Sequence, residues 1–210
     1  IYNASHLQKL GEAVHAGRIS PLDRLGLLSD IFEAAKAGYC STVDALQLLE
    51  SYNQEDNAVV WDIIAANLSS IRGVMDDEDL RESMKPYIRK LAKTQLARLG
   101  WDARESDTHF DTLLRPLVLA LAASADTPEV IAEAKTRFDA MQKPEDIAPD
   151  LRSVVYCTNA RLGDQHTFDK LLAMHSQTTS SEERVTIATA LTSFKQPDLI
   201  ARALNLIATD

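Results

Sequence analysis

The chain has 210 residues, 45% of them hydrophobic and 25% charged, enough length and apolar content for a large globular core. Its formal net charge of −9 argues against a nucleic-acid partner, which would need clustered Lys and Arg. No apolar run nears the roughly 20 residues of a membrane span, and the two separated cysteines, Cys40 and Cys157, offer no disulfide framework and fit a reducing, cytoplasmic compartment.

Apolar residues recur at helical spacing from the first positions onward. Leu7, Leu10, Ala13 and Val14 predict a helix over 3–16, stopped by Gly17. Ser20-Pro21 opens a second in cap-then-proline order, with a stripe of Leu22, Leu25, Leu28, Ile31, Phe32 and Ala35 before Gly38. Ser41 and Asp44 start a third, which carries Val43, Leu46, Leu48 and Leu49. After a polar connection over 52–56, Val59, Ile63, Leu68 and Ile71 mark a fourth, ending at Gly73.

The stretch 77–99 reads as a longer helix with Leu80, Met84, Tyr87, Leu91 and Leu96, and Pro86 predicts a break or kink near Ser83. Asp107 to Ser124 reads as a helix capped by Asp107 and interrupted at Pro116; Thr127-Pro128-Glu129 starts the next, with Val130, Ala134, Phe138 and Met141. Residues 142–148 are loop-like.

From Pro149 to Ile207 the punctuation is clearest. Pro149 opens a helix with Leu151, Val154, Val155 and Leu162, closed by Gly163, and Asp164 caps one with Phe168, Leu171, Leu172 and His175. Ser180 and Glu183 have capping-box spacing ahead of Ile187, Ala188 and Leu191, and Pro197 opens a last helix. Five glycines (17, 38, 73, 100 and 163) fall where left-handed caps are expected. Alternate helix starts lie about 31 to 33 residues apart, the period of helical-repeat solenoids. The expectation is an all-α fold of about eleven helices, stacked as antiparallel hairpins in a single domain over 1–210. Leu199, Ile200, Ala203, Leu204, Leu206 and Ile207 make the last helix apolar over more surface than one neighbour covers. With a start at Ile1, this predicts a piece of a longer protein, with further helices after Asp210.

Two stretches carry a family resemblance. Ile19-Ser20-Pro21-Leu22-Asp23-Arg24-Leu25-Gly26-Leu27-Leu28-Ser29-Asp30, followed by Ala34-Ala35-Lys36-Ala37-Gly38, resembles the opening of the C-terminal helical domain of puromycin-sensitive-type zinc aminopeptidases, the domain also found in the endoplasmic-reticulum aminopeptidases. Ser41-Thr42-Val43-Asp44-Ala45-Leu46, Val60-Trp61, Leu114-Arg115, Asp150-Leu151-Arg152, Val155-Tyr156, Ser181-Glu182-Glu183-Arg184 and Phe194-Lys195-Gln196-Pro197 fit the same pattern in the same order. The resemblance implies a non-catalytic bowl of helix hairpins. It would cover the chamber of the protein's own N-terminal catalytic domain and influence the access and length of peptide substrates. The family's zinc motif and its Gly-Ala-Met-Glu-Asn motif have no counterpart here, so the zinc it implies would belong to that other domain. The alternative is a free-standing helical-repeat scaffold that holds a protein or peptide in its groove.

No catalytic or metal constellation emerges from the residues. His6, His15, His109, His166 and His175 include no pair at i, i+4, the spacing a helical zinc site needs. In Asp107-x-His109-x-Asp111 the histidine points away from both carboxylates at 100° per residue, and pairing of Asp111 with Arg115 accounts for the charge. Cys40 precedes a helix start, which can activate a thiol, but has no histidine near it in sequence; no Gly-x-Gly loop exists for a phosphate. Trp61 and Trp101 read as core packing. Three arginines in family-like segments, Arg24, Arg115 and Arg152, admit two readings. They face a peptide's C-terminal carboxylate, which a guanidinium fork suits, or they tie helices together through Asp23, Asp111 or Asp150.

Overall fold

A computed structural model describes residues 3–209, and their regular structure is helical throughout: α1 (Ala4–His15), α2 (Pro21–Lys36), α3 (Thr42–Leu49), α4 (Ala58–Gly73), α5 (Glu78–Leu99), α6 (His109–Ser124), α7 (Pro128–Ala140), α8 (Pro149–Leu162), α9 (Gln165–Gln177), α10 (Ser181–Leu191) and α11 (Pro197–Thr209). Short 3-10 turns lie at Glu50–Tyr52 and Pro144–Asp146. Side-chain oxygens accept the orphan first-turn amides: Asn3, Ser20, Ser41, Asn57, Asp77, Thr108, Asp164 and Ser180 each cap the helix that follows.

The chain divides into two compact units, Ile1–Ala125 and Asp126–Asp210. In the first, α2, α4 and α6 lie side by side, with α1 and α3 against one another and α5 along α6. Leu28, Ile31, Leu49, Trp61, Ile64, Leu68, Ile88 and Leu114 fill its core. In the second, α8 packs on α7 and α10, and α10 on α9 and α11. Phe138 meets Tyr156 edge-on at 6.4 Å and Phe168 meets Phe194 at 5.3 Å, while Val155, Leu171, Ile187, Leu199 and Ala203 close round them.

Three expectations are corrected. α5 runs unbroken from Glu78 to Leu99 through Pro86, and α6 unbroken through Pro116. A mid-helix proline costs roughly 3 kcal/mol, but Met84, Ile88, Leu91 and Ala92 are buried on the helix it would break, and each large apolar side chain so buried returns roughly 1.5–3 kcal/mol. Packing against α6 wins. The buried stripes are also rotated: Leu22, Val43 and Val59 are exposed, and Leu27, Ala45, Val60, Trp61 and Ile64 take the inner positions. Finally, of the five glycines expected as left-handed caps, only Gly17, Gly38 and Gly100 have positive φ. Gly73 lies within α4, and Gly163 is extended at φ −87°. Space is what Gly163 needs: a Cβ there would lie 2.5 Å from the Asn159 carbonyl oxygen and 2.7 Å from Thr167.

In α11, Leu199 and Ala203 are buried while Leu204 is 58% exposed. The side chain of Ile207 lies outside the described residues.

Candidate functional site

Two of the three singled-out arginines, Arg24 and Arg152, stand on the first turns of α2 and α8, and Arg115 stands on the second turn of α6. Arg24 sits on the first turn of α2, placed by the Ser20 cap and Pro21. Its Nε and Nη2 donate to Glu55 Oε2 and Oε1 at 2.6 and 2.8 Å, and its Nη1 donates to the Ile19 carbonyl at 2.8 Å. Glu55 also accepts the backbone N–H groups of Asp56 and Asn57 at 3.2 and 3.0 Å. Tyr52 donates its hydroxyl to the Arg24 carbonyl at 2.9 Å, and Trp61 Nε1 donates to the Glu55 carbonyl at 2.8 Å. Hydrogen bonding to Glu55 raises the Arg24 pKa, and burial pushes the Tyr52 phenol upward. The fork is thus saturated by a carboxylate fixed in the connection that leads into α4.

The same arrangement recurs in the second unit. Arg152, on the first turn of α8 behind Pro149, donates through Nε to the carbonyls of Pro144 and Ile147 at 3.0 and 3.2 Å. Its Nη1 donates to Glu183 Oε2 at 2.9 Å, and Tyr156 donates its hydroxyl to Glu183 Oε1, also at 2.9 Å. Burial, then the Glu183 carboxylate, raises the Tyr156 pKa. Ser180 caps α10 by accepting the Glu183 N–H at 3.3 Å, but the glutamate side chain goes to Arg152 and Tyr156. In both units the arginine also bonds the carbonyl five residues back, and its glutamate lies 31 residues on. The shared signal is Ile-x-Pro-x-x-Arg at 19–24 and at 147–152, with Glu at 55 and 183. Sequence reasoning noticed both arginines and missed the repeat, assigning the charges to their neighbours Asp23 and Asp150. Asp23 instead accepts from the Ser20 hydroxyl at 2.7 Å.

Arg115 on α6 is 4% exposed. It pairs with Asp107 and leans on the Leu99 carbonyl at 3.4 and 3.5 Å. The predicted roles of the two aspartates are therefore exchanged. Thr108, not Asp107, caps α6, and Asp111 completes the capping box by accepting from Thr108 N and Oγ1 at 2.9 and 2.7 Å. Asp111 also receives Arg98 Nη1 at 2.5 Å. These bonds, those from Thr108 foremost, hold its carboxyl down at about 2; the Arg104 amide and then Arg115 depress Asp107.

The residues read as bystanders stand apart. His6, His15, His109 and His166 are exposed and His175 is buried. His15 Nδ1 lies 3.1 Å from Asn53 Oδ1. Among the described residues no three His, Cys, Asp or Glu gather into a group that could hold a metal, so this donor set does not fit the zinc that the resemblance implies. Cys40 and Cys157 are free thiols, and Trp61 is fully buried. No helix among the described residues is long and apolar enough to cross a membrane. The first unit carries a groove of about 620 Å³ between α1 and α3, walled by Leu7, Gly11 and Leu48, and another of about 510 Å³ against α4 and α6.

The family model described as ERAP1-like C-terminal domain matches residues 1–210. The chain is 32% identical over 211 residues to Aminopeptidase 2 of Candida albicans, covering 98% of this chain and 23% of that protein. It is 28% identical over 196 residues to the alanine/arginine aminopeptidase of Saccharomyces cerevisiae, covering 91% of this chain and 23% of that protein. With Aminopeptidase M1 of Arabidopsis thaliana it shares 27% identity over 217 residues, covering 100% of this chain and 25% of that protein. The chain thus spans about a quarter of the length of these curated relatives.

Proposed function

The chain belongs to the ERAP1-like C-terminal domain family, and from that premise we propose that it is the non-catalytic helical domain of a zinc-dependent aminopeptidase, covering the active-site chamber and limiting which peptides reach it. The observation that carries this reading is the end-to-end match to relatives named as aminopeptidases, of which this chain accounts for about 23%.

In this reading zinc, held by residues of the protein's own catalytic domain, supplies the Lewis acid for attack of water on the N-terminal peptide bond. The helices described here contribute a wall. A wall that selects by size must keep its shape, and the three arginine clamps hold helix starts in fixed register: Arg24–Glu55 for α2 and α4, Arg152–Glu183 for α8 and α10, and Arg115–Asp107 for the entry to α6. Closure of such a wall excludes water and commits the peptide, and its opening sets exchange. We assign the three arginines to this fastening role, because each is already occupied by a carboxylate and by backbone carbonyls. The two free thiols suit a reducing, cytoplasmic setting.

Aminoacyl fluorogenic substrates test the assignment. The protein encoded by the uninterrupted reading frame should hydrolyse them with zinc bound, and the 210-residue chain alone should not. Zinc-stoichiometric hydrolysis by the chain alone would overturn it.

A further inference from the structure

Large apolar side chains stand exposed along one edge of the first unit. There α2, α4 and α6 lie side by side, and their starts meet. Arg24 on the first turn of α2 binds Glu55 just ahead of α4, and Asp56 and Asn57 share a cavity of about 300 Å³ with Thr108 and Phe110 at the start of α6. Leu22, Val59 and Phe110 each take the second position of their helix, and each is more than half exposed. Leu113, a turn beyond Phe110, is exposed too. The ion pairs Arg24–Glu55 and Arg115–Asp107 fix the backbone that carries this row. At the far end of α4, Val74 is also exposed, but the acidic run Asp76-Asp77-Glu78-Asp79 follows it and keeps that edge wet.

Single exposed apolar residues need no explanation, but a row of them on adjoining helix starts marks an interaction surface. We infer that this edge is where the protein's own catalytic domain docks, with one side chain of that domain seated in the cavity beside Phe110. The choice of occupant follows from length. This chain accounts for only 23% of Aminopeptidase 2 of Candida albicans, so in a protein of that size most of the polypeptide lies outside it. A tethered neighbour meets the edge at an effective concentration on the order of millimolar, which a second copy or a free peptide does not reach. The clamps beneath the row hold it ready, so docking loses little conformational freedom on this side. The inference deepens the proposed role and rests on it for the partner's identity; the surface itself rests on the exposed row.

Photo-crosslinking in the complete protein tests it, with isotope-labelled and unlabelled copies mixed to tell one polypeptide from two. In Phe110→p-benzoylphenylalanine, the crosslinked peptides join position 110 to a segment of the same polypeptide outside these 210 residues. The same probe in Val74→p-benzoylphenylalanine does not reach that segment. Adding Val59→Asp, which sets a charge on the docking edge, cuts the yield from position 110 by about threefold or more, whereas Val74→Asp leaves it unchanged. Val59 and Val74 are both exposed within the chain, so the helical circular dichroism is retained in each variant. Crosslinks from position 110 to a second copy, no crosslink at all, equal crosslinking from position 74, or an undiminished yield in the folded Val59→Asp variant overturns the inference. Crosslinking needs no turnover, which keeps the two readings apart. A docked protein without hydrolytic activity refutes the peptidase role, and an active one without the crosslink refutes this surface alone.

Discussion

Glu55 is shielded from water to within 1% of its side-chain surface, and Arg24 to within 13%. Removing one partner of such a pair leaves the other charged and dry, which costs roughly 3–5 kcal/mol, whereas replacing both by apolar groups of similar volume is often near neutral. Glu55→Ala should therefore lower stability in urea by about 3 kcal/mol or more, while Arg24→Met combined with Glu55→Leu recovers most of that loss. Equal stability of the single and double variants would show that the ion pair contributes nothing beyond its packing. Asp111 sets a pH dependence at the same scale. Its folded-state pKa of about 2 lies below the roughly 3.9 of an unfolded aspartate. The ionised form thus stabilises the fold above about pH 4, and that contribution is lost progressively as the pH falls from about 4 through 2. Asp111→Asn should be less stable than the parent chain by about 1 kcal/mol at pH 6, a value reduced by solvent near the pair. The difference should shrink steadily as the pH falls from about 4 through 2, and a gap that stays constant over that range would assign the loss to packing.

At the scale of elements, two glycines predict opposite outcomes. Gly26 lies within α2 with nothing inside 4 Å of a Cβ built on it, so Gly26→Ala should gain roughly 0.5–1 kcal/mol of helix propensity. Gly163 joins α8 to α9 where a Cβ would collide with the Asn159 carbonyl oxygen, which is backbone and cannot swing away. Gly163→Ala should lose about 1–3 kcal/mol, and a pair of thermal melts separates the two signs. The sequence announced the stop at 163 but not its cause, because a close approach between two helices leaves no local signature. The same limit explains most other misses. Caps, prolines and the spacing of apolar groups act within a turn or two of chain, and they placed the eleven helices of the described residues. Which face of α2, α3 or α4 turns inward depends on neighbours elsewhere, hence the exposure of Leu22, Val43 and Val59. Carboxylates 31 residues away replaced the adjacent ones as partners of Arg24 and Arg152, since an i to i+31 contact is set by helix stacking. Only comparing 19–24 with 147–152 could have revealed that pairing in advance. The groove of about 510 Å³ was invisible for the same reason: its lining comes from α4, α5 and α6, and nothing in any one segment marks a cavity.

For the whole molecule, the proposed role turns fastening into function. A wall that sorts peptides by length does so through its shape, and shape is most sensitive at the points that fix helix register. Arg152 is such a point: it ties the first turn of α8 to Glu183 on α10 and to two carbonyls of the preceding turn. Loosening it leaves the zinc chemistry untouched, because in this reading the metal and its ligands lie outside the chain. In the complete protein, Arg152→Lys keeps the charge but loses the planar fork that serves three acceptors at once. Its kcat/KM for a single-residue aminoacyl substrate should stay within about twofold of the unaltered enzyme. Across a series of peptides of increasing length, however, the ratio of long to short should move by about fivefold or more, the effect of roughly 1 kcal/mol applied to one class of substrate only. A uniform fall across all lengths would mean that the domain acts on stability alone, and an unchanged length profile in a folded variant would remove peptide selection from its duties.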